Sequence, residues 1–182
     1  MSQYPTPPAE HQDWTQATLT ELADHLETTH HAYTREALAR LTDLVNAVIA
    51  RHGPHHPELF KLRTLFRDFR DELVFHLLKE EQTLFPWIRR IEQAPTAAGT
   101  HPEIDGLVRL LEREHDHGNH LMASMDPIVK GLQVPAETPG VYHDLVLSLA
   151  DLQADLRQHV YEEDDVLFPK VLALYERLQS PR

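Results

Sequence analysis

The chain has 182 residues, 41% of them hydrophobic and 25% charged, which fits a single globular domain with a sizeable core. Its formal net charge of −12 argues against a nucleic-acid partner, because binding to phosphate requires clustered Lys and Arg. With no cysteine, the sequence excludes disulfides, thiolate metal sites and thiol nucleophiles, so any chemistry rests on its carboxylates and 14 histidines.

The first 14 residues are polar and contain prolines, and they lack the basic-then-apolar pattern of a signal peptide. We expect residues 1–14 to be a flexible segment preceding one domain at 15–180. No apolar run in the sequence approaches the ~20 residues that a membrane span needs. The sequence therefore predicts a soluble cytoplasmic protein, monomeric or dimeric, with no membrane or nucleic-acid partner.

The first two predicted helices form the amino-terminal half of the domain. Thr18 and Glu21 have the spacing of a capping box, and apolar residues then keep a helical period to Gly53, which predicts a helix over about 15–52. The second helix is predicted to begin at Pro57, to be kinked at Pro86 and to fray near residue 92.

The carboxyl-terminal half repeats this pattern. A capping box at Thr100–Glu103 predicts a third helix that continues to about Lys130. After a loop at 131–137, Thr138 and Pro139 predict the start of a fourth helix that extends toward the chain end. Four long helices with short loops, and no credible strand, predict an all-α, antiparallel up-down four-helix bundle.

A motif on the second helix recurs on the fourth. The segment His76-Leu-Leu-Lys-Glu-Glu-Gln-Thr-Leu-Phe-Pro86 matches His159-Val-Tyr-Glu-Glu-Asp-Asp-Val-Leu-Phe-Pro169, with the same His, Glu and Leu-Phe-Pro offsets. His76 and Glu80 stand four residues apart, as do His159 and Glu163. Because that spacing means ~40° of rotation on an α-helix, both side chains of each pair leave the same face. Imidazole and carboxylate together suit a first-row transition metal.

The other two helices each supply a histidine at a similar height. Counting residues to the connecting loops brings His31 close to the level of His76, and His115 close to the level of His159. The interval from His31 to His115 is 84 residues and that from His76 to His159 is 83, so the whole hairpin is predicted to be duplicated. A structural alternative has both motifs facing solvent, with Leu-Phe-Pro as a repeated packing and kink device.

Other polar residues are assigned by helical rotation. Glu72 and Glu112 lie one turn before His76 and His115, and Glu27 has the same relation to His31, which favours roles beside the ligands or in a channel. His52 is too far along its helix to join the layer, but it could mark a distal accessory site. The rotation predicts solvent-facing positions for a further set of residues, which are His25, His30, His117, His120, Glu81 and Glu162.

These motifs resemble the haemerythrin-like (HHE cation-binding) proteins, and within them the repair-of-iron-centres di-iron proteins. The resemblance covers residues from about 20 to 175, and it also includes His30-His31-Ala-Tyr, His52-Gly and Arg113-Glu-His-Asp116. It implies two iron ions per chain in an oxo- or hydroxo-bridged di-iron centre, with Glu80 and Glu163 as bridges. The implied histidine ligands are His31, His76, His115 and His159.

The resemblance also implies a function in nitrosative and oxidative stress. The expected roles are repair or protection of iron–sulfur clusters, by iron donation to damaged iron–sulfur proteins or by oxidoreductase chemistry on NO, O₂ or peroxide. Many family members carry an amino-terminal cysteine domain, whereas this sequence has no cysteine, so iron delivery is expected to proceed without thiol assistance.

Reversible O₂ binding, storage or sensing is the alternative function. Haemerythrin proper has HxxxH on its third helix and HxxxxD on its fourth, whereas this sequence has Asn119 four residues after His115 and pairs His159 with Glu163. One histidine fewer predicts a more open pair of irons than an O₂ carrier has. Ferritin-like oxidases, which use Glu-x-x-His with additional carboxylates, fit less well.

Overall fold

A computed structural model describes residues 13–94, 103–131 and 140–179. Within these ranges the chain is helical with no strand, as the sequence predicts. None of the described helices combines the length and apolar character needed to cross a membrane. Residues 100–102 of the predicted capping box, 132–137 of the predicted loop, the helix start at 138–139 and most of the segment 1–14 lie outside the described residues, while Gly131 still belongs to a helix.

Helix α1 is a continuous helix with a wide turn inside it. A short 3₁₀ turn at Trp14–Gln16 precedes it, and α1 then comprises α-helical Leu19–His25, π-helical Leu26–His31 and α-helical Ala32–His52. The predicted capping box is present, because the Thr18 hydroxyl accepts from the Glu21 N–H while the Glu21 carboxylate accepts from the Thr18 N–H. The helix therefore begins at Leu19, after this cap, rather than near residue 15.

Helix α2 also contains a π-helical turn. It comprises Glu58–Lys79, the π turn Glu80–Leu84 and Phe85–Gln93, and Pro57 is its N-cap. The Phe85 N–H bonds to the carbonyl of Glu80, five residues back, which is the π-helical register. Pro86 follows in the first turn of the next α-helical segment, where a missing N–H costs least. The predicted kink at Pro86 thus takes the form of a π turn just before it.

Helices α3 and α4 complete the fold. Helix α3 is Ile104–Gly131, and α4 comprises Val141–Tyr161, the π turn Glu162–Leu167 and Phe168–Gln179. The Phe168 N–H bonds to the Glu163 carbonyl, so this turn reproduces the π register of α2. Both copies of the repeated motif therefore contain the same backbone irregularity, and such turns are frequent at functional sites.

Two hydrophobic clusters pack the helices together. One contains apolar side chains from residues 33–49, 59–69, 122–129 and 145–152. The other contains apolar side chains from residues 19–26, 84–91, 104–111 and 166–175. Each fully buried aliphatic or aromatic side chain contributes about 1.5–3 kcal/mol. All four helices enter both clusters, and the buried histidines and carboxylates lie in the segments between them.

The amino terminus of α1 is tied to the end of α2 by a single side chain. The Glu92 carboxylate accepts hydrogen bonds from the backbone N–H groups of Leu19 (2.9 Å) and Thr20 (2.8 Å). These N–H groups have no partner within their own helix, so Glu92 caps α1 from a distance.

We expect Glu92→Ala to lower the free energy of unfolding by about 1–2 kcal/mol, because two N–H groups at a partly buried helix end lose a charged acceptor. Urea unfolding followed by circular dichroism measures the change. The control is Glu36→Ala, which removes the same charge at an exposed position on α1. Equal stability of the two variants would contradict the capping role.

Candidate metal centre

Six side chains meet between the two hydrophobic clusters. All six are buried, and they come from all four helices: His31, His76, Glu80, His115, His159 and Glu163. They form two groups that share both carboxylates, one with His31 and His159 and the other with His76 and His115. Within each group the facing donor atoms lie within 4.8 Å of one another. The structure thus brings together the six residues that the repeated motif and the height of the helices predict.

Each carboxylate divides its two oxygens between the groups. Glu80 Oε2 lies 3.4 Å from His31 Nε2, while its Oε1 lies 3.3 Å from His76 Nε2. Glu163 Oε1 lies 3.0 Å from His159 Nε2, while its Oε2 lies 3.1 Å from His115 Nε2. Two donors held about 2.1 Å from a shared ion, roughly 90–110° apart, would be separated by ~3.0–3.4 Å. The donor separations therefore suit a pair of ions with two carboxylates between them.

Several of these donors have no hydrogen-bond partner. Both oxygens of Glu80, Oε2 of Glu163 and Nε2 of His31 are buried and unpaired. His76 Nε2 and His115 Nε2 point at each other across 3.0 Å. A buried polar group without a partner costs about 1–3 kcal/mol, and more when charged, so the cluster is unfavourable unless something binds it. Nitrogen and oxygen donors of this kind fit a first-row transition metal.

The repeated motif also orients the neighbouring histidines. The residue after each central glutamate accepts a hydrogen bond from a histidine of the preceding helix. His31 Nδ1–H donates to Glu81 Oε1 (2.7 Å), and His115 Nδ1–H donates to Asp164 Oδ1 (2.8 Å). A donor at Nδ1 leaves the Nε2 lone pair directed inward, which is the arrangement of histidine ligands in metal sites.

The phenylalanine of each Leu-Phe-Pro triplet packs on the same two imidazoles. Phe85 stacks on His31 with ring centroids 5.5 Å apart, and Phe168 stacks on His115 at 5.9 Å. The motif therefore supplies a histidine, a shared carboxylate, an orienting acid and an aromatic wall. This role of Leu-Phe-Pro differs from a kink device on a solvent-facing helix, because both phenylalanines are fully buried.

The remaining two histidines differ in their support. His76 Nδ1–H donates to Glu114 Oε2 (3.1 Å), and Lys79 donates to the other oxygen of Glu114 (2.6 Å). His159 Nδ1 is buried without a hydrogen-bond partner, and its ring stacks on His30 with centroids 5.3 Å apart. The two halves of the centre thus have the same kinds of inner donor atoms, but the hydrogen bonds that support their histidines differ.

The electrostatics favour ionised carboxylates at the centre. Burial opposes the charge on Glu163, but His159 and His115 outweigh it and hold the pKa of Glu163 well below its usual range. Burial also lowers the pKa of His159, whereas at His115 the nearby carboxylates of Asp164 and Glu163 outweigh burial and raise the pKa to about 10. A cation bound between the carboxylates would replace the protons that the histidines otherwise hold.

The predicted solvent-facing positions of Glu81, Glu162 and His30 are wrong. Glu81 is only partly exposed and binds both His31 and Arg35, while Glu162 and His30 are fully buried. The rotations used for this prediction assume an uninterrupted α-helix, whereas these residues lie in π turns that change the angle between successive side chains. His25 is also only partly exposed, with Nε2 3.3 Å from Glu162 Oε2. His117 and His120 are exposed, as predicted.

The predicted accessory residues lie farther out. Glu72 is exposed, with its carboxylate 3.3 Å from His117, and Glu27 binds Arg89. Glu112 is exposed, and among the described residues none of these three carboxylates forms an ion pair with the six central side chains. Their roles, and that of His52 at the end of α1, stay predictions. The sequence signal for the actual supports was the acid that follows each central glutamate.

A small apolar cavity opens onto one side of the centre. His76 and His115 form part of its wall, and Glu72 and Asn119 also line it. The rest is mainly apolar, contributed by Phe69, Leu73, Met122, Leu156 and Val160. Such a lining admits small uncharged molecules more readily than ions.

A bundle of helices that buries paired histidines around two shared carboxylates defines a class of metal-binding helical proteins. Comparison with known families makes this specific: residues 9–171 match the hemerythrin HHE cation binding domain, and the chain belongs to that family.

Curated relatives carry names that refer to iron–sulfur clusters. The chain is 28% identical over 150 residues to the iron-sulfur cluster repair protein ScdA of Staphylococcus epidermidis, covering 82% of this chain and 65% of that protein. It is 31% identical over 164 residues to the iron-sulfur cluster repair protein YtfE of Escherichia coli O157:H7, covering 88% and 70%. It is 29% identical to the probable iron-sulfur cluster repair protein of Haemophilus influenzae, covering 88% and 68%. The chain thus spans about two thirds of the length of these relatives.

The orienting acids provide a direct test of the centre. We expect Asp164→Asn, Glu81→Gln and Glu114→Gln each to weaken metal binding by about 10–100-fold, because each histidine loses the charged acceptor that fixes its Nδ1–H. Competition with a coloured chelator measures the affinity.

The matched control for that series is Asp165→Asn, which makes the same change at an exposed residue beside Asp164. Affinities equal to that of the control in all three variants would show that the acids do not support a metal site.

Proposed function

We propose that this protein holds two iron ions per chain and uses the centre to repair or protect iron–sulfur clusters during nitrosative or oxidative stress. The observation that carries the proposal is the division of each buried carboxylate between two histidine pairs, with one oxygen for each. The relatives named as iron–sulfur cluster repair proteins support cluster repair as the use of such a centre.

The frame proposed for the centre is an antiparallel up-down bundle built from two duplicated hairpins. The Glu92 cap on the start of α1 supports antiparallel packing of α1 and α2, because Glu92 lies at the end of α2. The matching π turns and matching acid and phenylalanine contacts of α2 and α4 support the duplication. In this frame one motif from each hairpin faces the other across the metal pair.

Bound iron would supply one-electron chemistry toward NO, O₂ or peroxide, and also a stock of metal for rebuilding a cluster. The protein's own part is to bind and orient. Glu80 and Glu163 would hold the metal through their carboxylates, while Glu81, Glu114 and Asp164 keep three imidazoles directed inward. With only two imidazoles for each ion, the donor set is small, which favours release of iron to an acceptor.

The apolar cavity beside His76 and His115 supports access by a small neutral molecule. Its wall includes these two histidines, whereas His31 and His159 are not among the residues that line it. NO and O₂ are uncharged diatomic molecules that such a wall would admit. This route would supply a reactant to one side of the metal pair only.

Reversible O₂ carriage is the second candidate, and the donor set argues against it. Asn119 is exposed at the cavity and gives no imidazole to the centre. Asp164 has the spacing HxxxxD from His159, but its carboxylate accepts from His115 Nδ1 and leaves the inner position to Glu163. The inner donors of the centre therefore include neither a second histidine of an HxxxH motif on α3 nor the aspartate of an HxxxxD motif on α4.

We expect protein produced with ample iron to contain two iron ions per chain, with the absorption of an oxo-bridged ferric pair. Glu80→Ala and Glu163→Ala should each lose most of the iron, because one carboxylate serves both ions. Asp165→Ala is the control for charge loss. Metal analysis measures the content, and retention of two ions in both glutamate variants would contradict the shared-carboxylate arrangement. Zinc or manganese in place of iron would contradict the redox function.

Cluster repair is tested with an NO-damaged 4Fe–4S enzyme. We expect the iron-loaded wild type to restore its activity and His76→Ala to fail, because His76 completes one half of the centre. His117→Ala, at an exposed histidine of α3, should behave like the wild type. Equal recovery with His76→Ala would show that the centre is not the source of repair.

The same preparations separate repair from carriage. Reduced protein exposed to O₂ should oxidise without binding it reversibly. O₂ that is released under vacuum would instead favour the carrier.

A further inference from the structure

A third group of metal-type donors lies beside the centre, formed by His25, His30 and Glu162. Glu162 Oε2 lies 3.3 Å from His25 Nε2 and 3.6 Å from His30 Nε2. These separations resemble those within the centre itself. Glu162 Oε2 is buried and makes no hydrogen bond. It therefore lies close to two imidazole nitrogens without the hydrogen-bond geometry that would satisfy it.

Two of the three donor residues are oriented by a hydrogen bond on the atom that points away from the group. His30 Nδ1–H donates to the buried Asp155 carboxylate (2.8 Å), which leaves Nε2 directed at Glu162. Gln158 donates to Glu162 Oε1 (2.7 Å), which leaves Oε2 directed at the two histidines. A carboxylate behind a histidine is the usual second layer of a metal site. Two imidazoles and one carboxylate with open positions suit a single divalent transition metal, and not Ca²⁺ or Mg²⁺, which need more oxygen donors.

The opposite side of the bundle has a different arrangement at the positions that the repeat relates to His30 and Glu162. His30 precedes His31 as Glu114 precedes His115, and Glu162 stands three residues after His159 as Lys79 stands three after His76. Lys79 and Glu114 form an ion pair that supports His76. In place of that pair, the other side of the bundle has an imidazole of α1 and a carboxylate of α4, with His30 Nε2 and Glu162 Oε2 facing one another. An ordinary supporting ion pair was therefore available to this fold, and the chain has metal-type donors there instead.

The third group is more accessible than the centre. The His25 side chain is 24% exposed, whereas the four central histidines are at most 8% exposed. His25 lines a surface pocket together with the carboxylates of Asp13, Glu21 and Asp24. On the inner side, His30 stacks on His159 of the centre. The group thus connects an acidic surface to the half of the centre that lies away from the apolar cavity.

We infer that His25, His30 and Glu162 bind a third divalent metal ion, separate from the pair, and that iron enters and leaves the centre through this site. The exchange role rests on the proposed function, since it takes iron as the metal, and the iron stays ferrous throughout. Binding at the site itself requires only the donors described above. Its outer ligand, His25, meets the solvent, and its inner ligand, His30, lies against the centre.

Anaerobic titration with ferrous iron, followed by dialysis and metal analysis, tests the site. In addition to the pair expected in the protein as produced, we expect the titration to load a third ion, which gives three ions per chain in the wild type, two in His25→Ala and three in the control His117→Ala. His25 is partly exposed, so its truncation should not disturb the fold. Equal iron content in the wild type and His25→Ala would overturn the third site.

A second set of variants measures metal binding at the third site after the centre has been disabled. The double variant Glu80→Ala/Glu163→Ala should keep one ion, and addition of His25→Ala should remove it. If the double variant binds nothing while circular dichroism shows it folded, the third site is overturned. If the wild type binds only the single ion that depends on His25, the two-iron function fails and the third site stands.

The exchange role is tested by the rate at which a ferrous chelator removes iron from the loaded pair. We expect His25→Ala to slow removal several-fold while the final amount removed from the centre is unchanged, and His117→Ala to match the wild type. A rate unaffected by His25→Ala would overturn the exchange role.

Discussion

Two buried carboxylates lie close to each other inside the bundle, and the site depends on this arrangement. Glu80 and Glu163 are fully buried between two hydrophobic clusters, and both are held in the ionised form against the cost of burial. Like charges so placed destabilise a fold unless cations or donors surround them. Four imidazoles provide those donors, and a metal pair would provide the cations. The hydrophobic clusters on either side bury this layer, so that none of its six side chains is more than 8% exposed.

Duplication of one short motif solves most of the positioning problem. In each copy the central glutamate, the following acid and the phenylalanine act on a histidine from the preceding helix, so a single helix segment arranges two donors and their supports. The π turn that begins near each central glutamate is part of this arrangement, because it lets the adjacent residues Glu80 and Glu81 approach the two ring nitrogens of one histidine, His31. A regular helix would direct the second residue ~100° away.

The sequence was sufficient for the helices and for the inner donors, because both depend on regular periodicity and on a repeated spacing. It was insufficient where that regularity stops. The wide turns moved His30 and Glu162 from predicted solvent positions into the interior, and no residue pattern in a single sequence marked the turn in α1. The proline that ends each motif lies just after one of the other two turns, although at Pro86 it suggested a kink. Long-range contacts such as Glu114 with His76 required the packed helices.

The two sides of the centre differ in a way that the repeated motif alone would not produce. His76 and His115 meet an apolar cavity, whereas His159 meets His30 and, through it, a polar group that reaches the surface at His25. Apolar walls favour neutral molecules, and facing imidazoles and carboxylates favour cations. These surroundings support the proposals that a neutral diatomic molecule reaches one side of the centre and that metal exchanges on the other. The asymmetry arises largely from a few differences around the repeated motif, because His30 and Glu162 stand at positions that correspond in the repeat to Glu114 and Lys79.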